Sequence, residues 1–171
     1  RDGVRLAPLI RGVGQERERR SGTHNVAGIV AMATALAETD RERGDESTRV
    51  TGLRDRLLDG LGSRLDGLVE TVPRDRVVAG IAHVCIEGIE SESLLFLLDE
   101  AEVCASAASA CASGAMEPSH VLAAMGVDRA LAGGALRMSL GHTTTADDVD
   151  RAVDALTDSV ARLRRLNVAA R

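Results

Sequence analysis

The sequence predicts an α/β fold in which helices pack on a short sheet, and three observations lead to this prediction. From Val26 onward, apolar residues recur at the spacing of an amphipathic helix. Between Ala135 and Leu140, apolar and polar residues alternate as they do in a half-buried strand. Helical and strand-like segments also follow one another along the chain, which is typical of helices layered on a sheet. The length of 171 residues suits one domain of ordinary size.

The N-terminal third is predicted to contain a loop followed by two helices. Residues 1–24 are rich in arginine and glycine without a clear period, and we expect mostly loop there. Thr23 or Asn25 can cap the first helix, and Gly44 lies near its end. Two glycines near the end of the second helix weaken it by about 1 kcal/mol each. The apolar positions of the two helices are Val26, Ile29, Val30, Ala33, Leu36 and Ala37, then Val50, Leu53, Leu57, Leu61 and Leu65.

The middle of the chain is predicted to alternate between strands and helices. Residues 77–86 are apolar enough for a strand that ends before Gly88. Ser91 can cap a short helix that runs through residue 99. A short strand over residues 103–106 follows. Pro118 suits the first turn of a further helix, which ends at about residue 125.

The C-terminal part holds the clearest strand and the clearest helix. Thr145 caps the last helix together with Asp148 three residues on, in a variant of the capping box. The buried stripe of that helix is predicted to be Val149, Val153, Leu156, Val160 and Leu163. The strand before it has two faces, which are Leu136, Met138 and Leu140 on one side and Ala135, Arg137 and Ser139 on the other.

The composition excludes several classes of function. The net charge of -5 argues against a nucleic-acid surface, and one Phe without Trp or Tyr leaves no aromatic residues to stack on bases. No stretch is apolar enough to span a membrane, and the first residues lack the apolar core of a signal peptide. We therefore expect no nucleic acid, no membrane and a cytoplasmic location with reduced thiols. All 21 basic residues are arginines, so no lysine of this chain can form a Schiff base.

Cys111 is the candidate nucleophile. It lies in a run of Ala, Ser and Gly over residues 105–116, which would leave a thiol open to approach. The alternative is a small, inert residue in a loop or in the core. Cys104 and Cys85 are weaker candidates, because each lies in an apolar predicted strand where burial would raise the pKa of its thiol. An odd number of cysteines without a CxxC motif predicts neither a zinc site nor a disulfide framework.

Two further segments could bind charged groups. Arg137 is a charge inside an otherwise apolar strand and could hold the carboxylate of an amino acid, or it could simply face solvent. Residues 20–23, Arg-Ser-Gly-Thr, precede a predicted helix and could receive a phosphate, or they could be an N-cap with a turn glycine. The four histidines have no metal-ligand spacing, and we expect capping, surface or core roles for them and no metal site.

Four stretches of the chain keep the order and spacing of one known family. The first is GQE at 14–16 followed by RSGT at 20–23, and the second is ESESLL at 90–95. The third is SACASG at 109–114 followed by EPSHVL at 117–122, and the fourth is LRMSLG at 136–141 followed by two threonines. Over nearly the whole chain, these stretches resemble the C-terminal part of the cysteine desulfurases, in the pyridoxal-phosphate (PLP) class-V aminotransferase superfamily.

The resemblance implies a fold and a role for three residues. The fold is the PLP-dependent transferase fold type I, with residues 1–24 as the end of the large PLP-binding domain and residues 25–171 as the small α/β domain. Cys111 resembles the catalytic cysteine that takes sulfur from L-cysteine as a persulfide and leaves L-alanine. Arg137 resembles the arginine that holds the substrate carboxylate. Thr23 resembles the threonine that contacts the PLP phosphate of the partner subunit in a homodimer.

The resemblance also implies partners and leaves two alternatives. The sulfur would pass to an acceptor protein such as an iron–sulfur scaffold, or into tRNA thiolation. The family's PLP lysine lies upstream of the position matching Arg1, so this chain resembles a fragment and is expected to be inactive by itself. The chain departs from the family's pattern at two places: Val13 stands where the family usually has glycine, and Ala107-Ala108 stands where it usually has Ser-Gly. The alternatives are a non-enzymatic module that carries persulfide or binds a partner, and a class-V enzyme similar to selenocysteine lyase.

Overall fold

The computed structural model describes residues 3–4, 7–107 and 119–169. Cys111 and the predicted helix start at Pro118 lie outside the described residues. The chain forms two compact units, Arg1–Gly44 and Asp45–Arg171. This division falls inside the first helix, and the domain boundary after residue 24 stays a prediction.

The first unit contains a small hairpin where mostly loop is expected from the sequence. Strands β1 (Gly14–Gln15) and β2 (Arg20–Ser21) pair in antiparallel fashion. Residues 16–18 between them all have positive φ, which is uncommon for residues other than glycine. After the hairpin, Asn25 caps helix α1, because its Oδ1 accepts the backbone N–H of Gly28 at 3.1 Å.

Helix α1 (Val26–Gly62) is one continuous helix of 37 residues, so the prediction of two helices separated near Gly44 is wrong. A glycine inside a helix costs only about 1 kcal/mol and, unlike proline, keeps its backbone N–H. An ion pair between Asp40 and Arg43, at a spacing of i and i+3, also supports the helix just before this glycine. The local cost of the glycine is therefore too small to end the helix.

The two halves of α1 differ in burial. The apolar side chains of the first half are exposed, namely Val26, Ile29, Val30 and Leu36. Those of the second half are buried, namely Val50, Leu57, Leu58 and Leu61. Among the described residues, only the second half of α1 therefore contributes to the hydrophobic core.

The second unit is built around a three-stranded antiparallel sheet. Its strands are β3 (Leu68–Glu70), β4 (Ile81–Ile86) and β5 (Ala135–Ser139), in that order across the sheet. The sequence pattern predicts β5 correctly, whereas β3 is too short to show an alternation. The predicted strand at 77–86 begins only at Ile81, because the chain turns just before it: the Ile81 N–H donates to the Val78 carbonyl oxygen at 3.2 Å.

One face of this sheet packs against the second half of α1, helix α2 (Ser91–Glu100) and helix α5 (Ala146–Ala169). The sheet contributes Val84, Ile86, Leu136 and Met138 to this core, which confirms the apolar face predicted for β5. The predicted stripe of α5 is also confirmed, with Val149, Val153, Leu156 and Val160 buried and Leu163 packed at the edge. Aliphatic side chains therefore form this core without an aromatic residue.

Of the described residues, those that cover the other face of the sheet lie at one end of it. Helices α3 (His120–Ala124) and α4 (Arg129–Ala132) place Leu122 and Ala132 over Cys85 and Ala135. At the other end of the same face, Arg137 is exposed and His83 is half-buried. As far as the structure describes the chain, the face away from the main core therefore has a polar end without covering side chains, which we call the open end of the sheet.

Two predicted helix starts have different outcomes. The capping box of α5 is confirmed: Thr145 donates its N–H to the Asp148 carboxylate at 3.0 Å, and the Asp148 N–H donates to the Thr145 hydroxyl at 3.2 Å. The prediction that Ser91 caps α2 is wrong. Ser91 is instead the first residue of α2, and its buried hydroxyl contacts the carbonyl oxygens of Gly133 and Ala135 at 2.7 Å each. It thus ties α2 to the start of β5.

Candidate functional site

The strand pairing places four polar residues in one row across the open end of the sheet. His83 of β4 stands directly opposite Arg137 of β5. Ser106 pairs with Arg137 from the other side through an isolated antiparallel bridge. Thr71, just after β3, donates its N–H to the His83 carbonyl at 3.3 Å. Because directly paired residues of antiparallel strands share a face, the four side chains lie on the same side of the sheet.

Arg137 is available to bind an anion. Its backbone is fixed to Ser106 by two hydrogen bonds, of 2.7 Å from its own N–H and 3.0 Å to its carbonyl oxygen. Its side chain is exposed, and no carboxylate of the described part of the chain forms an ion pair with it. A guanidinium with its fork of donors unoccupied suits a carboxylate in a two-point contact. The sequence-based prediction of Arg137 as a carboxylate anchor is compatible with this geometry and stays a prediction.

His83 is held in a neutral form next to Arg137. Burial, and then the positive charge of Arg137, lower the pKa of His83 below its ordinary value. The Nδ1 atom of His83 lies 2.8 Å from the hydroxyl oxygen of Thr71. The ring is therefore uncharged near neutral pH and is fixed by a hydrogen bond at one of its two nitrogens.

His83 and Thr71 belong to this row, although neither is among the site residues predicted from the sequence. The sequence pattern that could have indicated His83 is the alternation of side chains along β4, which puts His83 on the face opposite Ala82 and Val84. The register that sets His83 opposite Arg137 could not be derived, because it depends on how two distant segments pair.

Cys111 lies outside the described residues, but its place in the chain limits its distance from Arg137. Ser106 is fixed to Arg137, and Cys111 follows Ser106 by five residues. Five residues span at most about 18 Å when fully extended. Cys111 therefore follows, five residues later in the chain, a residue that is fixed to the Arg137 backbone.

The other two cysteines differ from one another. Cys85 is completely buried, and burial raises the pKa of its thiol, as the sequence predicts. Cys104 is exposed, so the prediction that it is packed in a strand is wrong. Of the predicted strand at 103–106, only Ser106 pairs with the sheet, and Glu102 has a positive φ of 59° in the turn that follows α2. Cys104 therefore lies on a turn rather than in an apolar strand.

In the first unit, Thr23 lies between the hairpin and the N-terminus of α1. It is exposed. Arg20 donates from Nη1 to the carbonyl oxygens of Gly22, at 3.2 Å, and of Thr23, at 2.8 Å, which braces this turn. A hydroxyl, a guanidinium and the N-terminus of a long helix together suit a phosphate. The phosphate site at residues 20–23 stays a prediction.

The described part of the chain shows neither a metal cluster nor a membrane-spanning helix. Among those residues, no group of three or more His, Cys, Asp and Glu side chains is arranged to hold a metal ion. None of the helices described here combines the length and the apolar character needed to cross a bilayer.

Comparisons with known proteins place the chain in a family. The model of the aminotransferase class-V family matches residues 10–152. The chain is 44% identical over 167 residues to a cysteine desulfurase of Gluconacetobacter diazotrophicus. It is 46% identical over 171 residues to an IscS-like cysteine desulfurase of Mycobacterium tuberculosis. These matches cover 98% and 99% of this chain but 42% and 44% of the two relatives, so the chain spans less than half of their length.

Solved structures agree with the sequence comparisons. A NifS-like protein superposes with a TM-score of 0.75 at 34% identity, over 94% of this chain and 40% of that one. A NifS-like protein from Rickettsia africae gives a TM-score of 0.72 at 25% identity, over 92% of this chain and 41% of that one. The predicted fold class is thereby confirmed as part of the PLP-dependent fold type I. With a family match across most of its length, this chain belongs to the aminotransferase class-V family and is similar to its cysteine desulfurases.

Proposed function

We propose that the protein carrying this chain is a cysteine desulfurase, which converts L-cysteine to L-alanine and keeps the sulfur as a persulfide on Cys111. Relatives named cysteine desulfurase match this chain from end to end, at 38–46% identity. The structural observation that carries the proposal is Arg137, an exposed guanidinium on a strand that is fixed to Ser106, five residues before Cys111. The spacing of five residues keeps Cys111 within about 18 Å of Ser106, which supports a site shared by this anchor and this nucleophile.

Arg137 binds the α-carboxylate of L-cysteine in this proposal. A charged two-point contact contributes about 1.5–3 kcal/mol. It also fixes the orientation of the substrate, so that the thiol is presented in one direction. The rigid β5 backbone suits this task, because both of its neighbours, β4 and Ser106, hold the strand in place.

Cys111 accepts the sulfur. Its thiolate attacks the sulfur of L-cysteine, so that an S–S bond forms and the Cβ–S bond of the substrate breaks. The electron pair of the broken bond stays with the substrate carbon, which takes up a proton and becomes the methyl group of L-alanine. A thiol and L-cysteine thereby become a persulfide and L-alanine, and atoms and electrons balance.

PLP is the cofactor implied by the family. It supplies the electron sink for the bond cleavage when it is bound. From this chain, Thr23 would contact its phosphate, in the partner subunit of a homodimer. The exposed hydroxyl of Thr23, the nearby Arg20 and the start of α1 form a donor set that fits a phosphate. The chain has no lysine, so the covalent attachment of PLP has to come from outside these 171 residues.

The remaining parts of the proposal concern organisation and partners. Residues 1–24 would complete the large PLP-binding domain, and residues 25–171 would form the small domain that carries the cysteine segment. The persulfide would pass to a sulfur-acceptor protein, such as an iron–sulfur scaffold, in the cytoplasm. Relatives named IscS and NifS support this assignment.

The experiment is an assay of L-alanine and sulfide formation by the protein expressed from its complete gene, supplied with L-cysteine, PLP and a reductant. We expect both products from the wild type and neither from Cys111→Ser. We expect Arg137→Ala to lower kcat/KM by about ten- to a hundredfold, which corresponds to the loss of its charged contact. Absence of L-alanine from the wild type would overturn the proposal and would favour the non-enzymatic module.

A further inference from the structure

The open end of the sheet presents a second polar side chain beside the proposed carboxylate anchor. His83 and Arg137 are a directly opposed pair in the β4–β5 ladder, so their Cβ atoms are about 5 Å apart. A carboxylate is small enough for both side chains to reach it. The covering helices stop short of this pair, because α3 and α4 pack over Cys85 and Ala135 at the other end of the face.

Thr71 fixes the imidazole in a defined orientation. Its hydroxyl oxygen lies 2.8 Å from the Nδ1 atom of His83 and 3.3 Å from the His83 carbonyl oxygen. The Thr71 hydroxyl can donate its hydrogen bond to either atom, and Nδ1 is the closer acceptor. When it donates to Nδ1, the neutral ring carries its own proton on Nε2. Among the described residues, none accepts a hydrogen bond from this Nε2–H group.

We propose that His83 is a substrate-binding residue that donates its Nε2–H to the α-carboxylate held by Arg137, with Thr71 as the residue that positions the ring. This assignment rests on the proposed function, because it takes the substrate to be an amino acid. To the charged contact of Arg137 it adds a directional hydrogen bond from an uncharged donor.

The surroundings of His83 explain why an uncharged donor suits this place. The charged group that faces it from β5 is Arg137, and a second cation beside that guanidinium would be repelled. On the other side it meets the uncharged Thr71, while Glu70 lies on the opposite face and pairs with Arg74. The burial of the ring acts in the same direction. The site therefore holds one positive charge and one neutral donor.

The test uses NMR of isotope-labelled histidine rings in the protein expressed from its complete gene, with L-alanine as the probe and L-alaninamide, which lacks the carboxylate, as its control. The His83 resonances are assigned by their loss in His83→Asn. We expect L-alanine to raise the pKa of His83, because a bound carboxylate offsets the charge of Arg137, and L-alaninamide to leave it unchanged. In Arg137→Gln, the pKa of His83 should rise without any ligand, and L-alanine should have little further effect.

Affinity separates a binding role from a structural one. We expect His83→Leu to weaken L-alanine binding by about ten- to a hundredfold, which is the contribution of one hydrogen bond to a charged group. His83→Asn keeps an N–H donor and should restore most of the affinity. Thr71→Val should weaken binding in the same direction while keeping His83 itself. This second variant provides the test if His83→Leu does not fold.

Three outcomes would overturn the assignment. One is no response of the wild-type His83 resonances up to the solubility limit of L-alanine. Another is equal binding of L-alanine and L-alaninamide, and the third is unchanged affinity in both His83→Leu and Thr71→Val. A response to L-alanine without persulfide on Cys111 would keep the carboxylate site and remove the proposed desulfurase function, so the two failures can be told apart.

Discussion

The contact between α1 and α5 allows a prediction whose sign depends on the position of a single methyl group. A Cβ atom added at Gly60 would lie 2.9 Å from Cγ2 and 3.2 Å from Cγ1 of Val153. Val153 is buried and β-branched, so its side chain has little freedom to move away. Gly52, in the same helix, has open space at the same position. The substitution of glycine by alanine should therefore have opposite effects at these two sites.

The magnitudes follow from two competing contributions to the free energy of unfolding. Alanine stabilises a helix by about 1 kcal/mol relative to glycine, and Gly52→Ala should gain that amount. Gly60→Ala gains the same but overpacks the contact with Val153, which costs about 1–3 kcal/mol. The two variants should thus differ by about 2 kcal/mol, which places their Tm values about 4–8 °C apart.

The assay is thermal and urea unfolding followed by far-UV circular dichroism, since the chain has no tryptophan for fluorescence. A double variant of Gly60→Ala with Val153→Ala should recover about 1–2 kcal/mol relative to the sum of the single changes, because the two sites are in contact. An increase of Tm by the same amount in Gly60→Ala and Gly52→Ala would refute the close packing of α1 on α5.

Three further predictions concern the core, the cysteines and a helix cap. Leu156→Ala should destabilise the protein by about 2–5 kcal/mol in urea unfolding, because this side chain is completely buried in the core; a loss below 1 kcal/mol would contradict its place there. Iodoacetamide followed by peptide mass spectrometry should label the exposed Cys104 in the folded chain and the buried Cys85 only after unfolding, and rapid labelling of both would contradict these positions. The hydrogen bonds from Thr145 lower the pKa of Asp148, so their contribution is present above the unfolded-state pKa and is lost as pH falls through the folded-state pKa. Thr145→Ala should therefore raise the pKa of Asp148 measured by NMR, and an unchanged pKa would count against the capping box.

The sequence was most informative where one local pattern decides the structure. The alternation of β5 and the stripe of α5 follow from the burial of one face, and both are observed. The cap of α5 needs only two residues three apart in the chain, Thr145 and Asp148, and it too is as predicted. Such features depend on neighbours in the sequence and can be derived without knowledge of the fold.

The sequence was less informative where distant segments compete with a local preference. Gly44 is a plausible helix end by itself, but continuation of the hydrogen-bonded helix outweighs its cost. Cys104 follows an apolar residue, and yet the turn at Glu102 exposes it. At the candidate site, Arg137 could be singled out as a charge in a strand, whereas its neighbour His83 became visible only through the register of β4 and β5.

The central claim is that Cys111 carries sulfur taken from L-cysteine, and peptide mass spectrometry tests it most directly. The protein expressed from its complete gene is incubated with L-cysteine and PLP, alkylated and digested, and each cysteine peptide is inspected for one added sulfur atom. We expect the added sulfur on the Cys111 peptide of the wild type. In Cys111→Ser, we expect both the added sulfur and the release of sulfide to be lost. Added sulfur on the Cys104 or Cys85 peptide of Cys111→Ser, with sulfide release near that of the wild type, would contradict it.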